Sequence, residues 1–170
     1  MKVLVTAASR HGSTDEIATA LIRVLADAGF EVDSRAPQEV TSVADYDAVV
    51  IGSAVYVGKW LEPARQLIER MAAELRQRPV WLFSSGPLGD PPKPEADPTD
   101  IPDLVAAANA RGHKVFAGRL ERDQLGLGER TVVKLVGAPY GDFRDWDVVR
   151  AWAAGIVAAI NEVAVPAGAR

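Results

Sequence analysis

The residues best suited to chemistry stand close together near the N-terminus, in the run Ser9-Arg10-His11-Gly12-Ser13-Thr14. Ser9, Ser13 and Thr14 offer hydroxyl donors, and Arg10 and His11 offer charge. Gly12 lets the backbone curl so that successive N–H groups converge. A helix that starts here points its unpaired N–H groups and partial positive charge at whatever the run encloses, which suits a phosphate. The same residues have a plainer reading. Ser13-x-x-Glu16 is a capping box, which starts a helix without any ligand. The sequence leaves both open.

Other phosphate loops do not fit. There is no G-x-G-x-x-G fingerprint, and the run lacks the lysine of a Walker loop. A phospho-receiver site needs an acidic cluster after the first strand and an aspartate after the third. Ala7-Ala8-Ser9 and Gly52-Ser53 stand there instead. The chain has no cysteine, so catalytic thiols, thiolate metal sites and disulfides are excluded, and redox chemistry needs a bound cofactor. No catalytic acid or base stands out. His113 opens a strand on the side away from these residues, and no metal-ligand set is read.

The elements that must hold the run alternate in type. Lys2–Ala7 reads as a buried strand and Ser13–Gly29 as an amphipathic helix with Ile17, Leu21, Val24 and Leu25 on one face. Phe30–Ala36 alternates like a half-buried edge strand. Tyr46–Val55 is a third strand, Leu61–Arg78 a helix with Pro63 in its first turn, and Pro79–Ser85 a fourth strand. After a Pro- and Asp-rich loop, Gly86–Asp100, come a short helix (Ile101–Gly112), a fifth strand (His113–Leu120) and a last helix capped by Asp145. This order predicts an α/β fold of the flavodoxin-like, doubly wound type. Its five-stranded parallel sheet has the order 2-1-3-4-5, with helices on both faces. One domain is expected over residues 1–163, with a loose tail at 164–170. The stretch Glu121–Asp145 is too long for an ordinary connection, and it holds a helix-like run and the turn Ala138–Asp145.

In such a sheet ligands bind beyond the carboxyl ends of the strands, where strand order reverses. That places Ser9–Thr14, Ser53–Trp60 and Ser84–Asp90 around one site. At 170 residues, with 48% hydrophobic and 25% charged residues, the chain can bury a sizeable core. Its net charge of -4 and lack of a basic run exclude a nucleic-acid face. The N-terminus is not a signal peptide and no apolar run reaches membrane-spanning length, so a cytoplasmic protein is expected.

The first loop resembles the phosphate loop of the flavodoxin family, with Ser9, Gly12, Thr14 and Ala18 in register with its pattern. The resemblance implies FMN as cofactor and a redox role. It implies a phosphate held by Ser9, Arg10, His11, Gly12, Ser13 and Thr14. The loop Ala54, Val55, Tyr56, Val57 and Gly58 would supply the stacking aromatic, Tyr56, with Trp60 in reserve. The loop Ser84, Ser85, Gly86, Pro87, Leu88 and Gly89 would clasp the ring's pyrimidine edge. Flavodoxins turn over a peptide after that aromatic, usually at a glycine, during one-electron transfer. Here β-branched Val57 stands there and resists positive φ, which predicts mostly two-electron behaviour, with Gly58 as the alternative hinge.

Within the family, "SRHGSTDEIA", "YDAVVIGSAVYVGKW" and "VVKLVG…DFRDWDVVRAWA" resemble, in the same order, segments of the menaquinone-dependent protoporphyrinogen oxidases of bacteria. That branch has a long basic and aromatic insertion after the fifth strand, and Glu121–Asp145 is shorter and mildly basic. The implied partners are a redox donor such as a reductase and an acceptor of the quinone or porphyrinogen kind. Arg119, Arg122, Arg130 and Lys134 are the local groups for porphyrin carboxylates. "TVVKLVGAPYG" is the candidate for peripheral membrane contact or, more plainly, a helix against the sheet edge. A different class stays open: a flavodoxin-shaped interaction module that has lost FMN.

Overall fold

The structure is a computed structural model that describes residues 1–86, 97–136 and 139–164. The expected Pro87–Gly89 contacts and the end of the tail, residues 165–170, lie outside the described residues.

Five long strands form the parallel sheet: β1 (Lys2–Ala8), β2 (Glu31–Arg35), β3 (Ala48–Tyr56), β5 (Val80–Ser85) and β6 (Gly112–Phe116). Their order is β2-β1-β3-β5-β6, the expected doubly wound arrangement, with a short β4 (Lys59–Trp60) antiparallel to the end of β3. The central strands read as unbroken apolar runs because both faces are covered. Alternate residues divide between two cores. Leu4, Val49, Ile51 and Leu82 pack with α2 (Glu62–Leu75) and α3 (Ile101–Ala108). Val3, Val5, Val50 and Phe83 pack with α1 (Ser13–Asp27) and α5 (Trp146–Ala164). Phe83 meets Phe116 and Trp152 edge-on, at 5.9 and 6.1 Å between ring centres. Its ring lies over Gly52, where an added Cβ would fall 2.0 Å from it. A side chain at that position is therefore incompatible with this core.

Two parts of the chain depart from expectation. The stretch after β3, read as a loop, is a tight hairpin. Val55 pairs with Trp60 and Tyr56 with Lys59, leaving Val57 and Gly58 as its two-residue turn. Both have positive φ, 51° and 72°, as a hairpin turn matched to strand twist demands. Val57 thus already holds the left-handed conformation that its β-branch resists, which removes the premise for a flip-resistant loop. Such a residue costs about 1–3 kcal/mol and persists only where its surroundings enforce it. Two bonds do so. The Gly58 carbonyl accepts from the Thr99 N–H at 2.9 Å, and the Trp60 N–H donates to Asp100 Oδ2 at 3.0 Å.

The second departure is the fifth strand. It ends at Phe116, and Arg119–Leu120 leaves the sheet as β7 to pair antiparallel with β8 (Gly141–Asp142). Between them runs an excursion that carries α4 (Leu127–Val136). Its base is closed by the Phe143 N–H to the Gly118 carbonyl, at 3.1 Å. At Gly118 the chain passes close to Gly86: a Cβ on Gly118 would lie 3.3 Å from the Gly86 Cα.

Candidate functional site

The three loops expected to gather do gather, at the carboxyl end of the sheet, around a cavity of about 380 Å³. That is within the range of about 300–1,000 Å³ typical of small-molecule sites. From the first loop the cavity takes Ser9, Arg10, His11, Ser13 and Thr14. From the hairpin it takes Ala54, Val55, Tyr56 and Val57, and from the end of β5 Ser85 and Gly86.

At the first loop the backbone settles how α1 begins. Gly12 precedes the helix with φ 79° and ψ -14°, and no side chain caps the helix. The capping box does not form. Ser13 Oγ accepts instead from the Arg119 N–H at 3.1 Å. Glu16 reaches Arg119 Nη2 at 2.7 Å and Arg144 Nη1 at 2.8 Å. The first intrahelical bond is from Glu16 N–H to the Gly12 carbonyl, at 3.0 Å. The N–H groups ahead of it have no side-chain cap, and Ser13 and Thr14 line the cavity. Ser9 Oγ is also buried without a hydrogen bond of ordinary geometry. A buried hydroxyl left open in this way costs stability unless a ligand fills it.

The local charge fits an anion. Asp15 and Glu16 both lie in the first turn. Glu16 is held below the usual carboxylate range, first by its bond to the Arg144 guanidinium. Arg144, whose side chain is 3% exposed, also binds Asp142 at 2.6 Å and lies 4.6 Å over the Trp146 ring. Asp15 is pushed up by burial, with the Ser9 hydroxyl pulling the other way. Burial thus disfavours a negative charge on Asp15, and the guanidiniums of Arg119 and Arg144 offset that of Glu16.

At the hairpin, Tyr56 is 41% exposed and Val57 84% exposed, both at the cavity rim. The Arg10 guanidinium lies over the Tyr56 ring, 4.4 Å from its centre. Trp60 is not a second platform. It is buried in the α2–α3 core, and its Nε1 donates to Ser84 Oγ at 2.7 Å. Ser84 Oγ is also 2.8 Å from His113 Nε2, so its hydroxyl is committed below the cavity and away from a ligand. His113 lies off the cavity lining, half-buried, and burial lowers its pKa. Gly12 and Gly58 act through their backbone turns and lie off the lining itself.

Of the remaining wall only Arg119 was considered as a ligand-facing group from the sequence. Leu61, Gly118, Arg119, Leu120, Leu125 and Val133 complete the cavity. Five of these come from β7 and the excursion, or from the turn into them. Their signal in the sequence was the length of the stretch after the fifth strand; their contact with the first loop needed the β7–β8 pairing to be known. Val133 belongs to the run considered for membrane contact, and it faces the cavity. Of the four basic residues considered for carboxylates, Arg119 alone lines the cavity, and it is paired with Glu16 and Glu121.

A family model described as a flavodoxin domain matches residues 4–147. The chain belongs to the flavodoxin family. FMN is the cofactor of this family. Among solved structures, a flavodoxin from the domain Archaea is similar over 95% of this chain and 99% of its own, with 14% identity and a TM-score of 0.66. Oxidised flavodoxin 1 from Bacillus cereus is similar over 93% of this chain and 98% of its own, with 14% identity and a TM-score of 0.61. Rubredoxin oxygen:oxidoreductase from the anaerobe Desulfovibrio gigas is similar over 97% of this chain, with 14% identity and a TM-score of 0.69. This chain spans 37% of that longer protein. At such identities the likeness is one of fold. No curated protein sequence matches the chain. No described helix is long and apolar enough to cross a membrane.

Proposed function

We propose that the cavity holds FMN and that the protein is a redox protein passing electrons or hydride to a quinone or similar flat acceptor. The observation that carries this reading is the start of α1. Its N–H groups lack a side-chain cap and the Ser9 hydroxyl is buried without a hydrogen bond of ordinary geometry, all at the edge of one cavity. A phosphate supplies the acceptors this arrangement lacks. Gly12 fixes the curl, Thr14 and Ser9 offer hydroxyls, and Arg10 and His11 line the same end. When bound, the flavin supplies the electron and hydride chemistry. The chain holds the ring beside Tyr56 and the Ser85–Gly86 backbone, and excludes water with Val55, Leu61, Leu120, Leu125 and Val133.

The apolar wall from the excursion supports a flat, apolar acceptor. Porphyrinogen carboxylates find less support, since Arg119 already serves two carboxylates.

The test is the absorbance spectrum of the purified protein, followed by FMN titration of wild type, Gly12→Val and Thr14→Ala. Flavin absorbance with saturable binding, weakened in both variants, is expected. A colourless protein that takes up no FMN overturns the reading and leaves a flavodoxin-shaped interaction module.

A further inference from the structure

Trp60, Ser84 and His113 form a relay beneath the cavity. Trp60 Nε1 donates to Ser84 Oγ at 2.7 Å, and Ser84 Oγ lies 2.8 Å from His113 Nε2. The Trp60 and His113 rings are 6.4 Å apart between centres. An indole N–H only donates, so it takes a lone pair of Ser84. The Ser84 hydroxyl then has its own proton to place, and His113 Nε2 is its acceptor. His113 therefore carries its ring proton on Nδ1. Burial lowers the His113 pKa and so favours the neutral ring that this needs. A serine this close to a histidine has the spacing of a nucleophile and its base. Ser84 is wholly buried, however, and its oxygen is already engaged by the indole. What the relay does is join elements.

The β3–β5 ladder ends where Ala54 pairs with Ser85. Beyond that point the hairpin carries Tyr56 out to the cavity rim, and Trp60 returns opposite Val55. The Trp60 indole reaches back from this hairpin to Ser84, the residue before Ser85 and Gly86, which line the cavity. The bonds to Thr99 and Asp100 hold the same hairpin toward the start of α3 instead. We propose that Ser84 and His113 are positioning residues that set the width of the ring slot, holding the Tyr56 hairpin at a fixed distance from the Ser85–Gly86 backbone through the Trp60 indole. This rests on the FMN reading of the cavity. His113 acts at second hand: a hydroxyl that donates to an imidazole is a stronger acceptor for the indole. The relay also gives Ser84 a part in the site without contact with a ligand.

The test uses wild type, Ser84→Ala, His113→Leu and His113→Gln, with Asp145→Ala as a control that removes a helix cap far along the chain. Amide hydrogen exchange in the hairpin, residues 55–60, is followed in the flavin-free proteins. Ser84→Ala leaves a buried indole N–H unpaired, and hairpin exchange is expected to quicken about 10-fold. His113→Leu should quicken it about 3-fold, from the loss of one hydrogen bond. His113→Gln offers a side-chain oxygen as acceptor in place of Nε2 and should restore the wild-type rate. Asp145→Ala should leave it unchanged. FMN, followed by quenching of its fluorescence, should bind about 3- to 10-fold less tightly to Ser84→Ala and His113→Leu, and as in wild type to His113→Gln. Hairpin exchange unchanged in Ser84→Ala overturns the proposal. So does equal quickening in Asp145→Ala, because the hairpin then opens only with the whole fold. A loosened hairpin with full FMN affinity overturns the positioning role. Failure of FMN to bind wild type overturns the cofactor reading, and the exchange rates of the flavin-free proteins keep that result distinct from failure of the relay.

Discussion

Two helices on the same face of the sheet begin in opposite ways. At α5, Asp145 Oδ1 accepts from the N–H groups of Asp147 and Val148, at 2.9 and 3.1 Å. The helix closes its own start. At α1 a left-handed glycine stands in the capping position, and the two side chains that could have closed the start are drawn elsewhere. Ser13 serves the Arg119 backbone and Glu16 serves two guanidiniums. Both helices bury apolar faces in one core, so packing does not explain the difference. The start of α1 borders the cavity that the three loops line, and the start of α5 is not part of that lining. On the proposed reading, the uncapped helix start that borders the cavity serves binding, while the capped one serves stability.

The largest effect should come from removing the curl at Gly12. A Cβ there meets nothing within 4 Å, so Gly12→Val acts through φ alone. Left-handed backbone costs an ordinary L-residue roughly 1–2 kcal/mol. A β-branched residue escapes by rotating away, and the converging N–H groups go with it. FMN affinity is expected to fall about 100-fold or more, since each charge-assisted bond contributes about 1.5–3 kcal/mol. The titration that checks this also tests the comparison, because a variant with full affinity would mean the open start is incidental. Asp145→Ala is the reciprocal change. It should cost about 1 kcal/mol of stability and lower Tm by about 2–4 °C in thermal denaturation. FMN affinity should not change. If it does, the two helix starts do not divide stability from binding.

How much of this contrast could be read beforehand depends on the range of the interactions. Asp145 as a cap was legible because a cap bonds to residues two and three positions on. The sheet order was legible because unbroken apolar runs alternating with amphipathic ones leave few topologies. The capping box at Ser13 and Glu16 was legible too, and it is not what forms. Arg119 and Arg144 lie more than 100 positions from the residues they capture, and nothing local announces them. Val57 shows the same limit. Its β-branch argues against positive φ, but cross-strand pairing of Tyr56 with Lys59 leaves a two-residue turn that requires it. Trp60 and Ser84 looked like site residues from loop position, and side-chain direction, which a loop assignment does not contain, placed their bond in the core.

The Glu16 network can be separated from binding by pH. Glu16 has a lowered pKa in the fold, first from its bond to Arg144. Its stabilising effect is therefore complete above the unfolded value near 4.5 and is lost as pH falls from there through the lower folded value. Asp142 behaves alike, from its own value of 3.8, and is lowered by the same guanidinium. Thermal stability of wild type should fall with acid over that range. Glu16→Gln should start lower at neutral pH and fall less. An identical acid slope in the two proteins would show that Glu16 is not what ties the β7–β8 segment to α1.

The smallest effect on the free protein is the most discriminating. Ser9 Oγ is buried and makes no hydrogen bond of ordinary geometry. Deleting a capping hydroxyl destabilises a protein, whereas deleting an unsatisfied one removes a desolvation cost and is close to neutral or stabilising. Ser9→Ala should therefore leave the flavin-free Tm unchanged or slightly raised. FMN affinity should fall about 3- to 10-fold, the loss of one hydrogen bond of about 1 kcal/mol. A variant that is destabilised without flavin would mean the hydroxyl already has a structural partner. A variant that keeps full FMN affinity would mean the ligand never reaches it. The opposite signs in free and bound protein are what a residue kept for a ligand must show.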